Sequence, residues 1–335
     1  MNKVDTQMLK GVAILMMLWI HLFSNGMLTY EYTPLLHFWN GAPLPEVLRK
    51  VGSMCVSIFV FLGGYGLAVT WTRCHTMHNA RRTLSLVFNF WLVCLLFIPL
   101  SAFTNPQVVP GDFCTLLTSV AGLNMAYNGA WWFLLPYVVL TLVSRPLIST
   151  IMNGGKAVVV GSVVVSLLCL LAGYFCSGIA LCGGVVEMLV CFACNLMQLL
   201  LMFVLGIVAV RYDWAGWFRK RVKPLYACLG MTLLLVLKLS IGASGLLNPP
   251  FVVLFILLFI SMNVHGAVGR MLVLLGDYSA NMWLFHYFFF SGVCGAWLFS
   301  LRYPLLIFLM LTVLSLLTSI IITRLYNPVR KFIRR

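Results

Sequence analysis

This sequence predicts an all-α fold, a polytopic helical membrane protein of about ten transmembrane helices with both termini cytoplasmic. Three observations carry that expectation. The 335 residues are 62% hydrophobic and only 9% charged, with a mean hydropathy of +1.03, more apolar surface than a water-soluble chain hides in its core. Apolar runs of about the length that crosses a bilayer recur along the whole chain. The 22 Lys and Arg residues gather on alternate connections between those runs, the pattern that membrane insertion imposes.

Taken in order, the runs fall near 8–25, 51–72, 83–104, 131–150, 157–176, 186–210, 224–242, 249–264, 271–293 and 303–325. As helices they satisfy their own backbone hydrogen bonds inside hydrocarbon. The first lacks a small-residue cleavage site and leads into further runs, so it reads as a retained helix. Thr115–Leu123 reads as a short interfacial or re-entrant helix. An even number of spans puts both termini on one side. Eighteen basic residues then share that side, against Arg49, Lys50, Lys238 and Arg302 on the other, which makes it the cytoplasmic side. No repeat, low-complexity tract or appended soluble domain breaks the pattern, and residues 1–335 read as a single integral membrane domain.

The formal net charge is +15, but the cations adjoin the membrane at inner connections, where anionic lipid accounts for them. No nucleic-acid partner is expected; membrane lipids are. A basic inner mouth also suits an anionic substrate arriving from the cytosol. The eleven cysteines lie mostly inside apolar runs, as Cys94, Cys169 and Cys228 do, where a thiol behaves as a small hydrophobe. Cys191 and Cys194 form a CxxC without a second pair, and no metal site is expected. Cys176 and Cys182 stand near an outer connection and are able to pair if that side is oxidising.

Chemistry concentrates in the first run, GVAILMMLWIHLF. An ionisable group at membrane depth is costly unless it serves a path or a reaction, which makes His21 the leading site residue. Lys10 precedes it by eleven residues, about three helical turns, so the two share nearly one face roughly 16 Å apart. Gly63, Gly64 and Gly66 in the second run give a smooth patch for close approach of a helix or a ligand. The following segment, TRCHTMHNARRTLSL, carries Arg73, Arg81 and Arg82. It is either a positive-inside connection or a grip for phosphate, which guanidinium forks hold well. Trp131 and Trp132 suit an interfacial aromatic belt or stacking on a sugar. Glu187 is a relay, a partner for a base, or an interfacial carboxylate. In LGDYSANMWLFHYFFF, Asp277 is placed to cap the ninth helix, and His286 further in is a packing group or a substrate contact.

These residues, in this order, resemble the acyltransferase-3 family of membrane-bound bacterial acyltransferases. The resemblance rests on LKGVAILMMLWIH, VSIFVFLGGYG, the basic segment before the third run, WWFL, LGDYSANMWLFH and the closing RLYNPVRKF, and it covers the chain from Lys10 onward. The chain departs from the family pattern in having Lys10 where many members have Arg, Gly63 for Ser, Ser85 for a further Arg, and Asn327 for a Glu.

The resemblance implies an O-acetyltransferase of the bacterial cytoplasmic (inner) membrane. An acyl group, most often acetyl from acetyl-CoA, would pass to a hydroxyl of a cell-surface glycan or its lipid-linked precursor at the outer face. His21 would be catalytic with Lys10 paired to it. Lys10, Arg73, Arg81 and Arg82 would hold the donor, and Trp131, Trp132, Glu187, Tyr65 and His286 would contact the acceptor. The competing reading is an exporter that moves a polysaccharide, a lipid precursor or a small anion unchanged along a path containing Lys10, His21 and Glu187.

Overall fold

The computed structural model describes all residues except 25–29, 39–40, 76, 105–108, 110, 179–183, 242–244 and 335. The expectation that Cys182 pairs with Cys176 lies outside the described residues. Among those described there are helices and no strands. They are α1 (Lys3–Leu22), α2 (Leu44–Gly52), α3 (Cys55–Cys74), α4 (Asn79–Thr104), α5 (Phe113–Val120), α6 (Leu134–Leu142), α7 (Ser144–Asn153), α8 (Lys156–Ser177), α9 (Gly184–Arg211), α10 (Trp214–Arg221), α11 (Pro224–Ile241), α12 (Asn248–Ser261), α13 (Gly266–Phe288), α14 (Gly295–Phe299) and α15 (Pro304–Arg334).

Six of these stretches are long and apolar enough to cross a membrane, or seven if the bent pair Gly129–Leu142 and Ser144–Asn153 is one span. Three more of the expected runs are also helical. Of these α12 is short, while α1 and α13 carry Asp5, Lys10, His21, Asp277 and His286, the polar groups that lower their hydropathy. The expected helix near 115–123 is α5. The fourth run departs from a straight span: a 3-10 turn at Gly129–Phe133 leads into α6, and the chain bends by 55° before α7.

Two helix pairs form the centre, and both are built the same way. Between α1 and α13, a Cβ on Gly11 would strike the Leu272 carbonyl, and a Cβ on Gly276 would strike that of Gln7. Between α3 and α9, Gly64 lies against the Phe203 carbonyl and Gly206 against that of Phe61. Glycines on both partners let the backbones approach closely, the usual solution where lipid gives helices no hydrophobic reason to associate. Residue numbers rise together along the first pair, from Gly11 beside Leu272 to His21 beside His286, so α1 and α13 run parallel.

Asn2 caps α1 by accepting from the Asp5 N–H at 2.7 Å, while the Asn2 N–H donates to Asp5 Oδ2 at 2.8 Å. Asp5 also takes Arg219 of α10 at 2.7 Å, which ties the start of α1 to a basic helix far along the chain. Asp277 corrects its expected role. Because α13 begins at Gly266, Asp277 sits mid-helix and accepts from Gln7 Nε2 at 2.6 Å. Lys238, expected on the outer side, is fully buried, donates to Asn248 Oδ1 at 2.7 Å and lies 5.4 Å over the Phe251 ring. Lys50 joins the same region by donating to the Leu239 carbonyl at 2.7 Å.

Gly276→Ala is expected to push α13 off α1, lowering stability by about 1–3 kcal/mol as an overpacked contact does. Gly161→Ala, where nothing lies within 4 Å of the new Cβ, serves as the control, with a change within about 0.5 kcal/mol. Thermal unfolding in detergent reads both; equal midpoints would contradict the account of the seam.

Candidate functional site

A cavity of about 990 Å³ lies between α1, α3, α4, α6 and α13. Lys3, Lys10, His78, Arg81 and Arg82 line one end, brought together because α1 begins, α3 ends and α4 begins there. Arg82 donates to Thr70 Oγ1 of α3 at 3.3 Å. The walls further in are mainly apolar and aromatic, with Leu62, Leu67, Leu86 and Tyr137, and they include Gly63 and Gly66. Met17, Phe59, Phe133 and Trp283 close the far end.

The glycine patch therefore divides its labour. Gly64 serves helix packing, whereas Gly63 and Gly66 face the cavity, and nothing lies within 4 Å of a Cβ added to Gly66. Ser85, which replaces a cation of the family pattern, lines the cavity and accepts from Tyr326 Oη at 3.0 Å. A site with a cationic mouth and a mainly apolar interior fits a ligand with an anionic head and an uncharged arm.

His21 and His286 stand just beyond the far end. Their ring centroids are 5.1 Å apart, and Tyr287 lies edge-on to His21 at 6.3 Å. His286 is fully buried, and its Nδ1 faces the carbonyls of Trp283 at 2.9 Å and Met282 at 3.1 Å. Carbonyl oxygens only accept, so Nδ1 carries the proton and Nε2 presents a lone pair. That Nε2 has no hydrogen-bond partner among the described residues. The helix opens into a π segment at Phe289–Val293 directly after this pair, an irregularity often found beside functional groups.

At the opposite end of α1 from Lys10, Arg49 donates to Ser24 Oγ at 3.3 Å and Tyr32 to Glu46 Oε1 at 3.4 Å. Burial, helped by the Glu46 charge, pushes the Tyr32 phenol up to about 12.

The structure thus brings Lys10, Arg81 and Arg82 to one cavity and His21 to His286. Other expected site residues lie elsewhere. Arg73 is exposed and outside the cavity lining. Tyr65 is buried, accepting from the Met1 nitrogen at 2.6 Å. Trp131 has no exposed surface and donates to the Leu284 carbonyl at 2.8 Å, so it is neither a belt residue nor open to a sugar; half-buried Trp132 is also outside the lining. Glu187 sits in the first turn of α9, away from the cavity, so a path through Lys10, His21 and Glu187 is not assembled. Sequence reasoning missed Met17, Phe133, Trp283 and Tyr287. Met17 had a signal, being one turn before His21 on the same face.

Among the described residues no group of His, Cys, Asp or Glu could hold a metal ion. Fold and site define a helical membrane protein with a cavity, cationic at its mouth, that leads toward a histidine pair of which His286 is fully buried. Comparison with known families matches residues 5–324 to the acyltransferase-3 family, described as an acyltransferase domain, and the chain belongs to that family. No curated protein and no solved structure matches it.

Gly66→Leu fills open cavity space without a clash, so its thermal midpoint should stay near that of the parent while binding of any ligand to this cavity weakens at least about tenfold. Isothermal titration with coenzyme A checks this; undiminished binding would move the ligand elsewhere.

Proposed function

We propose that this chain transfers an acyl group, acetyl by preference, from cytosolic acyl-CoA to a hydroxyl of a cell-surface glycan or its lipid-linked precursor. The reaction takes place at the outer face of the bacterial inner membrane, within about ten spans whose termini are both cytoplasmic. The observation that carries this reading is the cavity that runs along α1 from Lys10 to within one turn of His21. Arg81, Arg82, Lys10 and Lys3 would hold the phosphates of the donor, since charge-assisted contacts to phosphate are the strong ones. The uncharged pantetheine arm would then extend between Gly63 and Gly66, toward the histidines.

An alcohol is a poor nucleophile near neutral pH, and His21 acts on it as general base. The proton passes from the hydroxyl to the imidazole as oxygen attacks the thioester carbonyl. The carbon–sulfur bond then breaks, and the imidazolium returns the proton to the departing sulfur. His286 presents its Nε2 lone pair beside that imidazolium and so favours it, a positioning role in place of the substrate contact expected from sequence. The family membership and the absence of Glu187 from the cavity both favour this reading over an exporter.

His21→Gln should lower transfer by about 10²-fold or more with coenzyme A binding intact. Lys10→Ala and Arg82→Ala should instead raise the donor KM about tenfold or more, by loss of a charged contact, with kcat little changed. Labelled acetyl-CoA added to inverted membrane vesicles reads both effects. A correctly inserted His21→Gln protein with full activity removes His21 from the chemistry.

A further inference from the structure

Along the parallel α1–α13 pair the side chains form layers. Met17 and Trp283 lie in the layer that ends the cavity, and His21 and His286 lie in the next, one turn on. Neither histidine lines the cavity. Three of the residues that end the cavity are buried, Met17 2% exposed, Phe133 5% and Trp283 6%, while Phe59 is half-buried. The buried three differ in freedom. Trp283 is fixed, because Nε1 donates to the Ala130 carbonyl at 2.9 Å and its ring meets Phe133 edge-on at 5.3 Å. Met17 is an unbranched thioether on rotatable bonds, the side chain that most readily changes shape in a packed interior.

We propose that Met17 is the movable part of a seal between the donor cavity and the histidine pair. The gap it vacates, bounded by the fixed rings of Trp283 and Phe133, sets how long an acyl chain the enzyme transfers. This inference rests on the acyl-transfer reading above. The seal has a chemical purpose beyond selectivity. Water reaching the bound thioester would add its oxygen to the acyl carbonyl, break the carbon–sulfur bond and release a thiol and a carboxylic acid. A closed layer prevents that until an acyl group is ready to pass. The opening left by a single methionine admits acetyl and excludes chains several methylenes longer, so the donor class is short acyl-CoA.

The test compares the parent protein, Met17→Ala, Met17→Leu and Trp283→Phe in vesicles that retain the host membrane as acceptor source, with acetyl-, butyryl- and hexanoyl-CoA as donors. Thiol release from purified protein without acceptor reports hydrolysis. Met17→Ala should shift the preference from acetyl toward the longer donors about tenfold or more, the scale of discrimination that one or two methylenes give in an apolar pocket. It should also raise thiol release. Met17→Leu, of similar volume, should keep the parent's ratio. Trp283→Phe enlarges the fixed side of the gap and should move the ratio in the direction of Met17→Ala. It decides the matter if Met17→Ala does not fold. An unchanged donor ratio in an inserted, active variant of either kind overturns the seal. A parent protein that uses no acyl-CoA at all brings down the acyl-transfer reading itself, and the seal with it.

Discussion

The close approach of α1 to α13 is the constraint on which the site depends. Both helices carry ionisable groups that lipid alone would expel, and each keeps them by lying against the other. Gly11 under Leu272 and Gly276 under Gln7 remove the side chains that would hold the two backbones apart. In that register Lys10 reaches the cavity, and His21 meets His286 about three turns along. A shift of one residue would turn every one of these side chains by about 100° around its helix, so the seam fixes geometry as well as stability.

Polar groups elsewhere in the interior show what satisfaction looks like in this protein. Asn89 donates to Asn281, Asn281 donates to Thr323 at 2.8 Å and Thr323 back-bonds to Ser319 at 2.7 Å, a ladder joining α4, α13 and α15. Lys238 has Asn248, which in turn donates to the Ser53 carbonyl at 2.8 Å. Seven buried side-chain atoms lack a partner among the described residues, Asn89 Oδ1 of that ladder included, and His286 Nε2 is the one that belongs to a ring beside a second imidazole. Unsatisfied buried polar atoms cost stability. A nitrogen kept open beside His21 fits a group whose partner arrives with the reaction.

Much of this was legible in the sequence, and what was not has physical reasons. The all-helical membrane character follows from composition, and the placing of Lys10 and His21 on nearly one face of α1 follows from helical spacing. Trp131 and Tyr65 misled because sequence shows residue type but not depth. An indole can sit at an interface or bury itself if a carbonyl accepts its N–H, and the Leu284 carbonyl that does so lies 153 residues away. Asp277 misled because the start of α13 was placed too late, which turned a mid-helix acceptor into a cap. The burial of Lys238 was not legible either, because the Asn248 that lets it stay inside is on a neighbouring helix. Apart from that helix boundary, each miss is a tertiary contact that no local pattern encodes.

The layering along α1 also bears on how one chain would serve two compartments, as the proposed acyl transfer requires. A donor with a highly charged head stays on the side where it is made, and an acceptor on the other side has no reason to enter apolar walls. The two meet only if the reacting carbon crosses the remaining distance on an uncharged arm, and the cavity supplies a cationic hold at one end and apolar walls beyond it. On the proposed reading Lys10 and the arginines act on binding, while His21 acts on chemistry one turn past the cavity's end. Separating these tasks along a single helix lets the head group be held firmly without drawing charge toward the centre of the membrane, where ions are most expensive. The same separation explains why the residues between, Met17 among them, are apolar: a polar side chain there would carry water to the thioester.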